Sequence, residues 1–169
     1  MAEGHEYYMK IALEQAQKAM DNGEFPVGCI LVHNNTIVGQ GRREHSLNND
    51  TNELDHAEII ALRDLNSHCP DLDPGRITVY TTLEPCLMCY GALLINQIST
   101  IVYAYEDAMG GGINLPLAHL TPLYRNMDVS IFPYVLRQES LELFKAFFNS
   151  PACSYLHNTY LAEYTLAQK

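Results

Sequence analysis

Apolar residues recur at helical spacing near the start of the chain and then give way to two short apolar runs. Residues 6–21 carry one apolar face, made by Met9, Leu13, Ala16 and Met20. This spacing predicts an amphipathic helix that ends near Asn22-Gly23. The runs 27–33 and 36–41, separated by two asparagines, predict a β-hairpin with a tight turn.

The rest of the chain alternates strand patterns with helix patterns. We predict strands at 77–82, 99–105 and 129–133, and helices at 56–65, 86–95 and 137–150, with Asp55 as the N-cap of the first. Such alternation predicts a three-layer α/β/α fold, with a central mixed sheet of about five strands covered by helices. We expect a single domain over residues 1–150 and a C-terminal arm over 151–169.

Charge, cysteine content and apolar runs indicate which binding partners and which cellular compartment to expect. The 169 residues include 20 acidic and 10 basic side chains, for a net charge of −10, and no basic stripe is present. This counts against tight nucleic-acid binding. Five cysteines make a complete disulfide framework unexpected, which favours a reducing cytoplasm. No apolar run approaches the roughly 20 residues that cross a bilayer, so we expect no membrane partner.

Four residues with metal-site chemistry cluster at two predicted helix starts. Cys86 and Cys89 are three apart and therefore share one helix face, while His56 and Glu58 open another helix. Zinc favours tetrahedral sites of sulfur and nitrogen. One histidine and two cysteines leave the fourth position open, which is typical of a catalytic rather than a structural zinc site. The positive end of a helix dipole also favours the thiolate form of cysteine.

Other interpretations of the same residues stay open at this point. The two cysteines are compatible with a redox pair, with part of a structural zinc site, or with simple core packing. Glu58 is compatible with an exposed acid in a first helical turn. The combined pattern of HxE followed by PCxxC, each at a strand-to-helix junction, is the signature of zinc deaminases of nucleobases.

Four stretches carry a resemblance to a known family. They are EFPVGCILVHNNTIVGQG (24–41), DHAEIIAL (55–62), TLEPCLMCYGALL (82–94) and IVYAYEDA (101–108). The chain resembles the cytidine/deoxycytidylate deaminase superfamily, and within it the branch of tRNA adenosine, cytosine and guanine deaminases. The match runs from about residue 6 to 108, fades over 109–150 and is absent after 150.

The resemblance implies hydrolytic deamination, with Zn²⁺ as the cofactor. His56, Cys86 and Cys89 would hold the metal, and Glu58 would shuttle protons without being a ligand. Substrate contacts are implied for four residues: Val27, Arg43, Ala57 and Asp107. A loop-capping role for Asp107 is an equal alternative. Relatives in this branch form homodimers in which a loop or tail of one subunit completes the pocket of the other.

Three departures from the family pattern bear on the substrate. Arg43 stands where relatives carry a base-binding asparagine, for which Asn48, Asn49 or Asn52 could substitute. The loop at 107–114 differs from that of tRNA-acting members, and the last fifteen residues contain one lysine. We therefore expect a small nucleobase, nucleoside or related amino-heterocycle. The alternatives are adenosine in a tRNA anticodon loop and a non-catalytic or partner-dependent subunit.

Overall fold

A single mixed sheet organises the part of the chain that the computed structural model describes, residues 2–47, 51–152 and 154–169. Its strands are β1 (Gly28–His33), β2 (Thr36–Arg42), β3 (Ile77–Leu83), β4 (Thr100–Tyr105) and β5 (Ser130–Phe132), in the order β2-β1-β3-β4-β5. β1 pairs antiparallel with β2 and β3, whereas β3–β4 and β4–β5 are parallel. The predicted three-layer fold with a mixed five-stranded sheet is confirmed.

Helices cover both faces of this sheet. They are α1 (Ala2–Asp21), α2 (Ala57–His68), α3 (Leu87–Ile95), the short α4 (Pro122–Arg125), α5 (Arg137–Asn149) and α6 (Tyr160–Ala167). In β1, Ile30 and Val32 pack in one cluster with Met9 and Ala12 of α1. The alternate strand positions, such as Leu31, pack in a second and larger cluster with α2, α3, α5 and α6. The alternation of strand side chains therefore builds two cores, one on each face.

Local sequence explains the hairpin and the close approach of α2. Asn34 and Asn35 adopt φ values of 48° and 64°, which asparagine tolerates better than most residues and which a tight hairpin turn requires. At Gly41 in β2, an added Cβ would come within 2.2 Å of the Ala57 carbonyl oxygen. Glycine is therefore required where the first turn of α2 crosses β2.

Two sequence-based expectations need correction. Asp55 is not the N-cap of α2, because His56 occupies that position. The Asp55 carboxylate instead accepts hydrogen bonds from Arg63 of α2 and from Asn52 of the preceding loop, so it joins the loop to the outside of the helix. The C-terminal arm also contains α6, which was not predicted, and Leu161 of this helix is buried in the larger core. The division of the chain at residue 150 stays a prediction.

Among the described residues, no helix combines the length and the apolarity that crossing a bilayer would demand.

Candidate active site

The site forms where the first residues of α2 and α3 meet at the end of β3. His56 and Cys86 occupy the N-cap positions of these two helices, with extended backbone angles. Neither side chain makes a capping hydrogen bond to its own helix. Both are therefore directed toward each other rather than back onto the helix ends. Cys89 lies one turn into α3 and is fully buried.

The ligand atoms of these three residues are spaced as a zinc ion requires. His56 Nδ1 lies 3.5 Å from Cys86 Sγ and 3.4 Å from Cys89 Sγ. All three atoms lie within 4.8 Å of one another. Zinc–sulfur and zinc–nitrogen bonds of about 2.3 and 2.0–2.1 Å in a tetrahedron put nitrogen and sulfur about 3.5 Å apart. The donor set and its spacing therefore fit zinc.

The surroundings of the two cysteines favour the thiolate form of Cys86 over that of Cys89. A hydrogen bond with Cys89 is the largest influence on Cys86, and with the neighbouring His56 it outweighs burial and lowers the pKa of Cys86 to about 4. The contact with Cys86 and burial raise the pKa of the Cys89 thiol. Cys86 is thus a thiolate at neutral pH, and Cys89 would give up its proton if a metal bound.

Glu58 is a buried carboxylate beside the three ligands. Its side chain is 3% exposed. Thr81 of β3 donates a hydrogen bond of 2.8 Å to Oε1, and the Cys89 thiol lies 3.4 Å from Oε2. Burial is the main reason that the pKa of Glu58 is raised. A carboxyl group whose pKa is raised toward neutrality is suited to accept and return protons. Thr81, which orients it, was missed because a strand threonine carries no functional signal in sequence.

A cavity of about 250 Å³ opens onto this centre. Its lining includes the four residues for which substrate contact was predicted: Val27, Arg43, Ala57 and Asp107. The volume is slightly below the roughly 300–1,000 Å³ of pockets for drug-sized ligands. The cavity therefore has room for a single base or nucleoside. Contact between these four residues and a substrate stays a prediction.

Asp107 lines the cavity but also fixes the loop after β4. Its Oδ1 accepts hydrogen bonds from the backbone nitrogens of Met109 and Gly110, at 3.0 and 2.8 Å. Burial raises the pKa of Asp107, although these two bonds act in the opposite direction. The loop-capping role is therefore present in the structure.

Arg43 is buried in the cavity wall, and its donors are used by the protein. Nη1 donates to the carbonyl oxygens of Glu44 and Asn52 at 2.9 and 2.8 Å. Nη2 lies 3.3 Å from Glu53 and 3.4 Å from the Tyr155 hydroxyl. Arg43 therefore fastens the loop that leads to His56, a role that an asparagine is too short to fill.

Asn52 is the one described residue among the three asparagines considered as substitutes for the base-binding asparagine of relatives. The side chain of Asn52 donates to Asp55 at 2.7 Å and accepts from the Leu54 backbone at 2.9 Å, so it closes its own loop. Asn48 and Asn49 lie outside the described residues.

Part of the cavity wall was not predicted from sequence. Glu53 comes from the loop before α2, whereas Tyr155, Leu156 and Leu161 come from the C-terminal arm. The arm lies more than 60 positions beyond the last motif residue, Cys89, and no periodicity or motif connects the two. Only the three-dimensional contacts reveal that it borders the pocket.

Residues 2–105 match the family model described as the cytidine and deoxycytidylate deaminase zinc-binding region. The match spans more than half of the chain and includes His56, Glu58, Cys86 and Cys89. The chain belongs to the cytidine and deoxycytidylate deaminase family. Family membership and the His56 ring between both sulfurs favour a metal centre over a redox pair or simple packing.

Relatives and solved structures agree with this assignment. The chain is 34% identical over 149 residues to a tRNA-specific adenosine deaminase of Buchnera aphidicola, covering 85% of this chain and 93% of the relative. It is 37% identical over 118 residues to tRNA-specific adenosine deaminase 2 of Xenopus tropicalis, covering 66% and 68%. A solved structure from a study of A-to-I editing by tRNA:A34 deaminases has a TM-score of 0.67 at 25% identity, covering 81% of this chain and 98% of that chain.

The same fold also occurs in a deaminase of a free base. A guanine deaminase from Nitrosomonas europaea has a TM-score of 0.67 at 16% identity, covering 84% of this chain and 83% of that chain. At that identity the likeness concerns the fold alone. The fold therefore does not identify the substrate, which depends on the residues of the site.

Proposed function

We propose that this chain is a zinc-dependent hydrolytic deaminase that removes the exocyclic amine of a nucleobase as ammonia. The observation that carries the proposal is the convergence of His56, Cys86 and Cys89 beside the buried carboxylate of Glu58. This convergence lies at the wall of a cavity sized for one base. Zinc, when bound there, supplies the Lewis acidity that makes hydroxide available near neutral pH.

Glu58 carries the proton transfers in this proposal. Its carboxylate accepts a proton from the attacking water and delivers it to the ring nitrogen of the base. It then takes the proton of the hydroxyl group added to the base and passes it to the departing amine, so that water and the amino-base become ammonia and the keto-base. Thr81 holds Oε1, which leaves Oε2 on the side of the metal ligands. Burial favours the protonated form that the second transfer requires.

For the substrate, we propose adenosine in tRNA ahead of a free small base. Support comes from the relatives: two proteins at 34% and 37% identity carry the name of tRNA-specific adenosine deaminase. This reverses the order that charge and Arg43 favour in the sequence alone.

A free nucleobase or nucleoside remains the second candidate because of one specific observation. Arg43 is the only cationic side chain in the described lining, apart from any charge on His56, and its guanidinium is bonded to the protein. The same lining includes the acids Glu53, Glu84 and Asp107. A phosphate group near the cavity would find few free positive partners.

We also propose a homodimer in the cytoplasm. Three large apolar side chains on and near α3 are more than half exposed, which supports a second copy packed on this face: Leu87, Ile95 and Leu123. Four described cysteines are unpaired, which supports a reducing compartment. The remaining alternative, a non-catalytic or partner-dependent subunit, is disfavoured by the presence of Glu58.

Measuring the product separates these substrates. Zinc-loaded protein is incubated with total tRNA, or separately with adenine, guanine, cytosine and their nucleosides, and inosine in tRNA and free ammonia are quantified. Inosine in tRNA, with binding that weakens steeply as salt rises, supports the first candidate. Ammonia from one small molecule at a salt-insensitive rate supports the second. Zinc-loaded protein that is inactive on the whole panel contradicts the proposed function and favours the partner-dependent subunit.

A further inference from the structure

One carboxylate oxygen of Glu53, in the lining of the pocket, has polar neighbours from three separate parts of the chain. Glu53 Oε2 accepts a hydrogen bond of 2.8 Å from the Tyr155 hydroxyl. The same oxygen lies 3.3 Å from Arg43 Nη2 and 3.9 Å from His56 Nε2. Glu53 thus lies between the C-terminal arm and a residue of the metal centre.

The orientation of the His56 ring turns its second nitrogen, Nε2, toward Glu53. Nδ1 faces the two sulfurs, so Nε2 points to the opposite side of the ring, toward Glu53. A histidine that binds a metal through one nitrogen carries its proton on the other. That N–H is commonly held by a carboxylate, which fixes the ring and raises its basicity. Among the described residues, Glu53 is the acid whose carboxylate approaches Nε2.

Tyr155 is held in place by Arg43, which is itself anchored to the backbone. Its ring lies 5.5 Å from the guanidinium carbon of Arg43, in a cation–π contact. Arg43 is in turn anchored by the carbonyl oxygens of Glu44 and Asn52. Burial, followed by the bond to Glu53, raises the pKa of Tyr155, so its hydroxyl remains a donor at neutral pH.

We propose that Glu53 and Tyr155 are positioning residues for the metal centre. Glu53 orients the imidazole of His56 through the charge of its carboxylate, 3.9 Å from Nε2, and Tyr155 of the C-terminal arm fixes Glu53 by a direct hydrogen bond. The arm is therefore part of the support of the metal site in its own chain, not a terminal appendage. This inference rests on the zinc site of the proposed function, but it is independent of which base is the substrate.

The test compares two conservative variants with matched controls from the same surroundings. Glu53→Gln removes the charge, and Tyr155→Phe removes only the hydroxyl. Glu44→Gln alters an exposed ion pair with Arg42, in the same loop. Tyr160→Phe alters an exposed tyrosine of the same arm. For each full-length protein, the zinc dissociation constant is measured by competition with a chelator, and the thermal midpoint is measured on the zinc-loaded form.

Removal of such a partner typically weakens metal binding or activity by about 10–100-fold. Because Glu53 is 63% exposed, we expect the low end of this range, about 10-fold for Glu53→Gln. Tyr155→Phe should weaken zinc binding by a smaller factor, and the double variant should equal Glu53→Gln, because Tyr155 acts through Glu53. Both controls should bind zinc as tightly as the wild type, because neither removes a partner of a metal ligand.

The inference is overturned if Glu53→Gln and Tyr155→Phe bind zinc as tightly as the controls. It is also overturned if their loss of affinity is matched by an equal loss in Tyr160→Phe, which would indicate a general loosening of the arm. Wild-type protein that binds zinc but deaminates nothing contradicts the proposed function, while the zinc constants of the variants still decide this inference. A wild-type chain that fails to bind zinc contradicts both.

Discussion

The pocket has two walls that are built in different ways. The inner wall consists of the starts of α2 and α3, where His56, Glu58 and Cys86 are fixed by helix geometry and by the sheet beneath. The outer wall consists of a polar loop and the C-terminal arm, joined through side chains such as Glu53 and Tyr155. Backbone geometry fixes the inner wall. The outer wall is fixed by side chains: Leu161 of α6 is buried in the larger core, and partly solvated hydrogen bonds join Glu53 to Tyr155.

The inner wall carries the groups that react, whereas the outer wall orients those groups and the substrate. A change in the inner wall alters the reacting groups or displaces a helix, and its effects should be large. A change in the outer wall alters how ligands and substrate are oriented, and its effects should be graded.

The largest expected effect is on catalysis, at Glu58. Glu58→Gln keeps the size of the side chain and an oxygen that can accept the bond from Thr81, but it cannot carry protons. Loss of a general acid–base group typically lowers the rate about 10²–10⁴-fold. We expect kcat to fall at least that far, measured as ammonia or inosine formation.

Zinc content and thermal stability serve as the control for this variant. Both should stay close to wild type, because Glu58 is not among the three predicted ligands. A variant that keeps more than a tenth of the wild-type rate would show that another group carries the protons.

The next effect is on stability, at Gly41. In Gly41→Ala the new Cβ would lie 2.2 Å from the Ala57 carbonyl oxygen and 2.6 Å from the Ala61 nitrogen, both in the backbone of α2. Because backbone must shift, we expect a loss of about 3 kcal/mol in the free energy of unfolding, measured by urea denaturation. Zinc binding should weaken too, since α2 begins beside His56.

Gly4→Ala in α1 provides the control, away from the face proposed for the dimer. Apart from the backbone of the helix itself, no atom of the described residues lies within 4 Å of the new Cβ, so we expect no loss and a gain of up to about 0.5–1 kcal/mol from the better helix former. Equal losses in the two variants would refute the close-packing argument for Gly41.

A smaller effect is expected on stability at low pH, through Glu106, which anchors α6 of the outer wall. Glu106 accepts hydrogen bonds from Arg137 and from the Tyr164 hydroxyl of α6, and Arg137 also bonds Gln168. Burial alone would raise the pKa of Glu106, but the bonds from Arg137 and Tyr164 outweigh it and lower the pKa below the usual value of 4.5. This contribution to stability is complete above the unfolded-state pKa and is lost as the pH falls through the folded-state pKa.

Glu106→Gln should therefore reduce the free energy of unfolding by about 1–2 kcal/mol at pH 7, where wild-type Glu106 is charged. The difference from wild type should close as the pH falls below about 4.5. Chemical denaturation at several pH values measures this. A difference that does not change with pH would mean that the charge of Glu106 is not what anchors α6.

The inner wall could be predicted from the sequence because its information is local. Cys86 and Cys89 share a face through helical spacing, and His56 and Glu58 belong to one short motif. Helix starts after strands then bring the motifs to one edge of the sheet. The hairpin followed from Asn34-Asn35, and the sheet from alternating strand and helix patterns.

The outer wall could not be predicted because its contacts are non-local. Tyr155 and Glu53 are 102 positions apart, and neither lies in a periodic pattern or motif. Helix α6 was missed because its residues are apolar on most sides and show no amphipathic stripe. Arg43 was placed by resemblance at a substrate position, but only the structure shows its donors bonded to the loop.

The measurement that tests the central claim most directly is ammonia release in the presence and absence of zinc. Metal-free wild-type protein, the same protein reconstituted with one equivalent of zinc, and reconstituted Glu58→Gln are assayed on total tRNA and on the free bases and nucleosides. The account predicts release only from the reconstituted wild type. Equal release from the metal-free protein, or undiminished release from Glu58→Gln, would contradict it.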